Sequence, residues 1–150
     1  MSISAVNSFS RMNKQPAFCA LKKILWVDDD KDYKASLSLP LNWDLALPDG
    51  DTFEITSKDT FNEGVKALQD DTYDGIIVDG SISKKDDGPE FVDKALKEGY
   101  EPEQMIMLSN RDYPYDNLPE NLTFLDKTRE SSESIAGNIL RMLYPSKCKE

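Results

Sequence analysis

Several residues that could do chemistry each stand at or just beyond the end of a short apolar run. Asp28, Asp29 and Asp30 follow Ile24-Leu25-Trp26-Val27, and Asp79 follows Gly75-Ile76-Ile77-Val78. Ser109 follows Met105-Ile106-Met107-Leu108, and Lys127 comes just after the run Leu122 to Leu125. Carboxylates gathered at one edge need a cation or must take up protons, because two like charges about 4 Å apart repel by roughly 4 kcal/mol at an effective dielectric near 20. An all-oxygen set with few carboxylates suits magnesium, which retains several of its waters. Lysine adds one compact positive charge on a long stem, and serine a neutral hydrogen-bond donor. Together these parts fit a phosphoryl group carried on a carboxylate, with a dication on one side, an ammonium on the other and a hydroxyl on a remaining oxygen.

The elements that must position them are legible in outline. Each of the four runs reads as a strand, Ile24 to Val27 and Gly75 to Val78 as strands buried within a parallel sheet. Thr52 to Thr56 is a further, more alternating strand. Thr60 with Glu63 makes a capping box ahead of Phe61, Val65 and Leu68 at helical spacing. Gly88-Pro89 opens a helix with Phe91, Val92, Ala95 and Leu96 on one face, and Gly99 stops it. Ser131 to Tyr144 is a last helix. Five strands interleaved with helical segments imply a doubly wound α/β sheet, with helices on both faces and ligands beyond the carboxyl ends of the strands. Pro40 and Pro48 break the segment Pro40 to Asp51, so the first helix is expected to be short or followed by a long connection. Arg111 to Asn121 contains Pro114 and Pro119 and little helical periodicity, which predicts a helix there reduced to a turn or lost. Trp26 and Trp43 read as structural, Trp43 within the unusual connection. Lys84-Lys85-Asp86-Asp87 reads as a solvated loop overhanging the site.

Composition narrows the chemistry further. The chain has 150 residues, 39% of them hydrophobic, which is enough for one domain with a real core. Its net charge of −10 disfavours nucleic acids and anionic lipid surfaces. It has no histidine, which excludes Ser-His-Asp and Cys-His catalysis, histidine-ligated zinc and a phosphohistidine donor role. Cys19 and Cys148 form no CxxC pair, and a reducing, cytoplasmic setting is expected. No apolar run approaches the length of a membrane span. The organisation expected is an extension over residues 1–21, a domain over 22–144 and a tail over 145–150. In the extension, Ile3, Val6, Phe9 and Met12 recur every third residue, so a short packed helix stands beside the simpler reading of a polar extension.

The layout ILWVDDD, YDGIIVDG, MIMLSN and FLDKT, in that order, resembles the response-regulator receiver domain of two-component signalling. The resemblance spans roughly residues 22–144. It implies a flavodoxin-like fold with strand order 2-1-3-4-5 and a reduced fourth helix. It implies Asp79 as phosphoryl acceptor, with Ser109 and Lys127 completing the catalytic set. Asp28, Asp29, Asp79 and the backbone carbonyl of Ser81 would hold Mg2+. Phe124, with Ser109, would be the switch, although an aromatic at a strand end also reads as plain core. Ser81 and Arg111 would tune dephosphorylation. The implied partners are a histidine kinase or phosphotransfer protein and a downstream protein target, and the chain would be no enzyme beyond its own phosphorylation and dephosphorylation. The chain departs from the family pattern at Ser83 and at Thr128, where prolines are usual, so Lys127 must be placed by other means. These departures leave open a phosphorylation-independent interaction module. Asp28, Asp30 and Asp32 mimic a calcium loop, but Tyr33 stands where that loop needs glycine and Leu39 where it needs glutamate.

Overall fold

The computed structural model describes residues 19–111 and 113–145. Five strands form one sheet: β1 (Leu21–Val27), β2 (Thr52–Lys58), β3 (Gly75–Asp79), β4 (Met105–Ser109) and β5 (Thr123–Asp126). They lie in the order β2-β1-β3-β4-β5, and every neighbouring pair is parallel. This is the order the resemblance implies. Four helices complete the fold: α1 (Lys31–Asp44), α2 (Phe61–Asp70), α3 (Gly88–Lys97) and α4 (Ser132–Leu143). Among the described residues, no helix stands between β4 and β5, as the prolines there predict. The spacing of Ile3 to Met12 and the tail beyond Pro145 lie outside the described residues.

Successive strand side chains point to opposite faces, so each central strand feeds two cores. Ile24, Trp26, Ile77, Ile106 and Leu108 face α1 and α4, where Leu37, Leu41, Ile135 and Ile139 meet them. Leu25, Val27, Ile76, Val78, Met105 and Met107 face α2 and α3, where Leu68, Phe91, Val92 and Ala95 close the second core. All residues of β3 and β4 are buried, which accounts for their unbroken apolar runs.

Two expectations need correction. First, α1 is not broken at Pro40 but runs 14 residues through it, so of the two alternatives expected it is the long connection, over residues 45–51, and not the short helix that is found. The proline forfeits one backbone bond, yet Leu37, Leu41 and Leu45 recur every fourth residue and bury against the sheet and α4, which outweighs the loss. A connection with a tight turn at Pro48–Gly50 follows, where Asp49 (φ 60°) and Gly50 (φ 78°) take left-handed conformations. Second, Trp43 belongs to α1 and is 79% exposed, so it contributes nothing to the core.

The remaining helix ends follow their signals. Thr60 Oγ1 accepts from the Glu63 amide at 3.1 Å, while the Glu63 carboxylate accepts from the Asp59 amide rather than from Thr60. Gly99 takes φ +102° just past α3, with its amide on the Leu96 carbonyl. Among the described residues, no helix is long and apolar enough to cross a membrane.

Candidate functional site

β1, β3, β4 and β5 deliver their last residues to one edge because parallel strands in register end together. Asp28 follows β1, Asp79 and Ser109 close β3 and β4, and Lys127 follows β5. Asp28 is fully buried, and Asp79, Ser109 and Lys127 are each less than a tenth exposed. Lys127 Nζ lies 2.8 Å from Asp28 Oδ2 and 3.3 Å from Asp79 Oδ2. Asp29 stays exposed, yet one carboxylate oxygen from each of Asp28, Asp29 and Asp79 falls within 4.8 Å of the others. The residues singled out from the sequence as acceptor, acidic pair, hydroxyl and lysine therefore meet.

The electrostatics follow from burial. Desolvation, then the charge of Asp28, pushes Asp79 up to about 7, against the pull of Lys127. Asp29 is raised for the same two reasons. Burial alone would lower the Lys127 ammonium, but Asp28 and Asp79 together outweigh it and hold the group above its ordinary value. Asp28 Oδ1 accepts from the Asp30 amide at 2.9 Å. Asp28 Oδ2 pairs with Lys127 by charge alone, since among the described residues it takes no hydrogen bond of good geometry. A buried carboxylate oxygen left in that condition, beside two further carboxylates, is a donor set that fits a hard divalent cation.

Lys127 is placed without a following proline. Its amide donates to the Ser109 carbonyl at 2.8 Å. The turn beyond is organised by Asp126, whose Oδ1 accepts from the amide and the hydroxyl of Thr128 at 2.9 and 2.7 Å. The Asp126 carbonyl accepts from Arg129 and Glu130. The Thr128 hydroxyl, then the Thr128 amide, hold the Asp126 carboxyl below the usual carboxylate range. Sequence reasoning missed Asp126, although an aspartate two residues before a threonine was the available signal.

In the loop after β3, Lys84, Lys85 and Asp86 are solvent-exposed, with Lys85 and Asp86 at the cleft, and only Asp87 departs from the solvated reading. Asp87 is only 4% exposed. Its carboxylate accepts from the amides of Ile82, Ser83 and Lys84 at 2.6, 3.0 and 2.9 Å. Ser81 Oγ accepts from the Asp86 amide, and Ser83 Oγ from the Phe61 amide. Gly88 is required here, because a Cβ would sit 2.4 Å from the Asp79 carbonyl oxygen.

The cleft above Asp79 encloses about 330 Å³ and is lined by Asp29, Asp79, Ser81, Ser109, Arg111 and Lys127, among others. The Arg111 guanidinium stacks on the rings of Tyr113 and Tyr115, at 4.2 and 3.9 Å. Tyr115 donates from its hydroxyl to Asp86 at 2.8 Å and meets Phe124 edge-on at 6.4 Å. Phe124 is half-buried, between the two readings its position allowed. A larger hollow of about 430 Å³ lies at the opposite ends of the strands, but its acids Asp70, Asp71 and Glu98 are exposed and gather no buried lysine.

This architecture and edge define the receiver fold. No family model matches the chain, and no curated protein matches it. Solved structures do match in fold. A CheY-like receiver domain protein from Methanospirillum hungatei is 21% identical, with a TM-score of 0.63, covering 87% of this chain and 100% of that one. The response regulator TrrA from Thermotoga maritima, in complex with Mg2+-BeF, is 20% identical, with a TM-score of 0.65, covering 81% and 99%. The receiver domain of a sensor histidine kinase from Pseudomonas aeruginosa, with a magnesium ion coordinated in the active-site cleft, is 16% identical, with a TM-score of 0.63, covering 83% and 98%.

Proposed function

We propose that this chain is a phosphorylation-dependent switch of two-component signalling. Asp79 accepts a phosphoryl group from a histidine kinase or phosphotransfer protein, and the modified protein changes its binding to a protein partner. The observation that carries this reading is Lys127 Nζ standing between Asp28 and Asp79, at 2.8 and 3.3 Å, with the Asp29 carboxylate alongside. In the transfer, an Asp79 carboxylate oxygen attacks phosphorus, a P–O bond forms and the P–N bond to the donor imidazole breaks. The leaving nitrogen keeps the bonding pair and takes up a proton. Lys127 neutralises the adduct from one side, and the Ser109 hydroxyl turns toward a phosphoryl oxygen. Asp28, Asp29, Asp79 and the Ser81 carbonyl would hold Mg2+, which when bound neutralises the opposite side. Phe124 then turns inward as the switch, and Ser81 and Arg111 at the cleft mouth set how fast water removes the group. The chain catalyses only its own phosphorylation and dephosphorylation. It acts in the cytoplasm, through protein contacts rather than nucleic acid or membrane, in keeping with its net charge of −10.

A second reading, a module that binds partners without phosphorylation, is favoured by one feature: among the described residues the β4–β5 segment holds no helix and ties Phe124 to Tyr115. Intact mass after incubation with Mg2+ and a small acyl phosphate separates the two. One added phosphoryl group, absent from Asp79→Asn, is expected. No addition to the wild type, even from a cognate kinase, would leave the second reading.

A further inference from the structure

The geometry points to Tyr33 as a positioning residue for Lys127: the face of its ring seats the ammonium between the two acids. The inference deepens the function proposed above and rests on it for its catalytic consequence. The Lys127 backbone is pinned by its amide on the Ser109 carbonyl, but the side chain carries its charge on a flexible four-carbon stem. The acids on either side do not centre it, since fully buried Asp28 lies nearer, at 2.8 Å, than Asp79, at 3.3 Å. Two carboxylates attract the ammonium without fixing the direction from which its flexible stem brings it.

A third contact supplies the missing constraint. Lys127 Nζ lies 4.7 Å from the centroid of the Tyr33 ring, within the range where an aromatic quadrupole attracts a cation. The ring is itself fixed. Tyr33 stands in the first turn of α1, its amide donating to the capping Asp30 carboxylate at 2.9 Å. Its ring meets Trp26 of β1 edge-on, at 6.4 Å and 85°. Tyr33 is not among the residues that line the cleft, so it backs the lysine from the protein side and leaves the cleft face to phosphate and metal. Its hydroxyl is buried and takes no hydrogen bond among the described residues, so the ring face, not the hydroxyl, is the working part.

The test uses the full chain, with Tyr33→Phe and Tyr33→Leu. In the unphosphorylated protein, the Lys127 ε-methylene protons should be shifted upfield by the ring current, identified by their loss in Lys127→Ala. The shift should persist in Tyr33→Phe and collapse in Tyr33→Leu. Phosphoryl uptake at Asp79 from an acyl phosphate with Mg2+ should be near the wild-type rate in Tyr33→Phe and roughly tenfold slower in Tyr33→Leu, in line with a partly desolvated cation–π contact. An unshifted wild-type lysine overturns the inference, whether or not Tyr33→Leu folds. So does a Tyr33→Leu protein that loses the shift yet takes up phosphoryl at the wild-type rate. A wild type that shows the shift but never accepts phosphoryl refutes the proposed function while upholding the seat.

Discussion

Asp79→Asn should make the metal-free protein more stable, which is an unusual expectation for a change at a buried functional residue. Asp79 is 7% exposed and is held up to about 7 by burial and by Asp28, against an ordinary value of 3.8. A group raised in this way binds its proton more readily folded than unfolded. Its ionisation therefore leaves stability intact below about pH 4 and removes it as pH rises toward and through 7. The difference corresponds to about 4 kcal/mol above pH 7 as an upper figure. Asparagine imitates the protonated acid, and Lys127 keeps Asp28 at 2.8 Å as its partner. In urea denaturation with a chelator at pH 8, Asp79→Asn should gain about 2–4 kcal/mol over the wild type, and the gain should shrink toward zero near pH 4. Magnesium should then stabilise the wild type more than the variant and narrow the gap, as any ligand of the folded state does. A variant at pH 8 no more stable than the wild type would refute the claim that this edge carries uncompensated negative charge.

Two further outcomes test the loop beside Asp79. Asp87→Ala should cost about 2–3 kcal/mol in urea denaturation, because it strips the charged acceptor from the amides of Ile82, Ser83 and Lys84 in a buried setting; a loss below about 0.5 kcal/mol would return the loop to a solvated role. Gly88→Ala should cost about 1–3 kcal/mol and slow phosphoryl uptake, since the new Cβ meets backbone atoms of Asp79 and Gly80 that cannot swing aside; unchanged stability and uptake would show that the helix start can retreat from β3.

The parts of the site carried by strand ends were legible because strand ends have a local signature. An apolar run that stops at Asp28, Asp79 or Ser109 marks both the strand and the residue it delivers, and parallel register then brings the deliveries together. The length of α1 was not legible from Pro40, because a proline's cost is local whereas the repayment at Leu37, Leu41 and Leu45 comes from α4 and the sheet. The fourfold leucine spacing was the signal to weigh against it. Asp87 was misread because composition reports a polar loop and not which of its acids turns inward. Its place just ahead of Gly88-Pro89, where a helix begins, was the cue.

The aromatic contacts that reach the site had no local signature. Tyr33 reaches Lys127 from α1 across the sheet edge, and Tyr115 reaches Asp86 across the cleft. Both are aromatic residues with nothing in their flanking sequence to set them apart, and tertiary packing alone gives them their partners. This matters most at Phe124. Here it meets the Tyr115 ring, whose hydroxyl is bonded to Asp86 in the loop that carries Ser81. Any rotation of Phe124 therefore has to break or carry an aromatic contact one hydrogen bond away from the loop that follows β3. Among the described residues, the short β4–β5 segment thus links Phe124 through Tyr115 to the loop that follows β3.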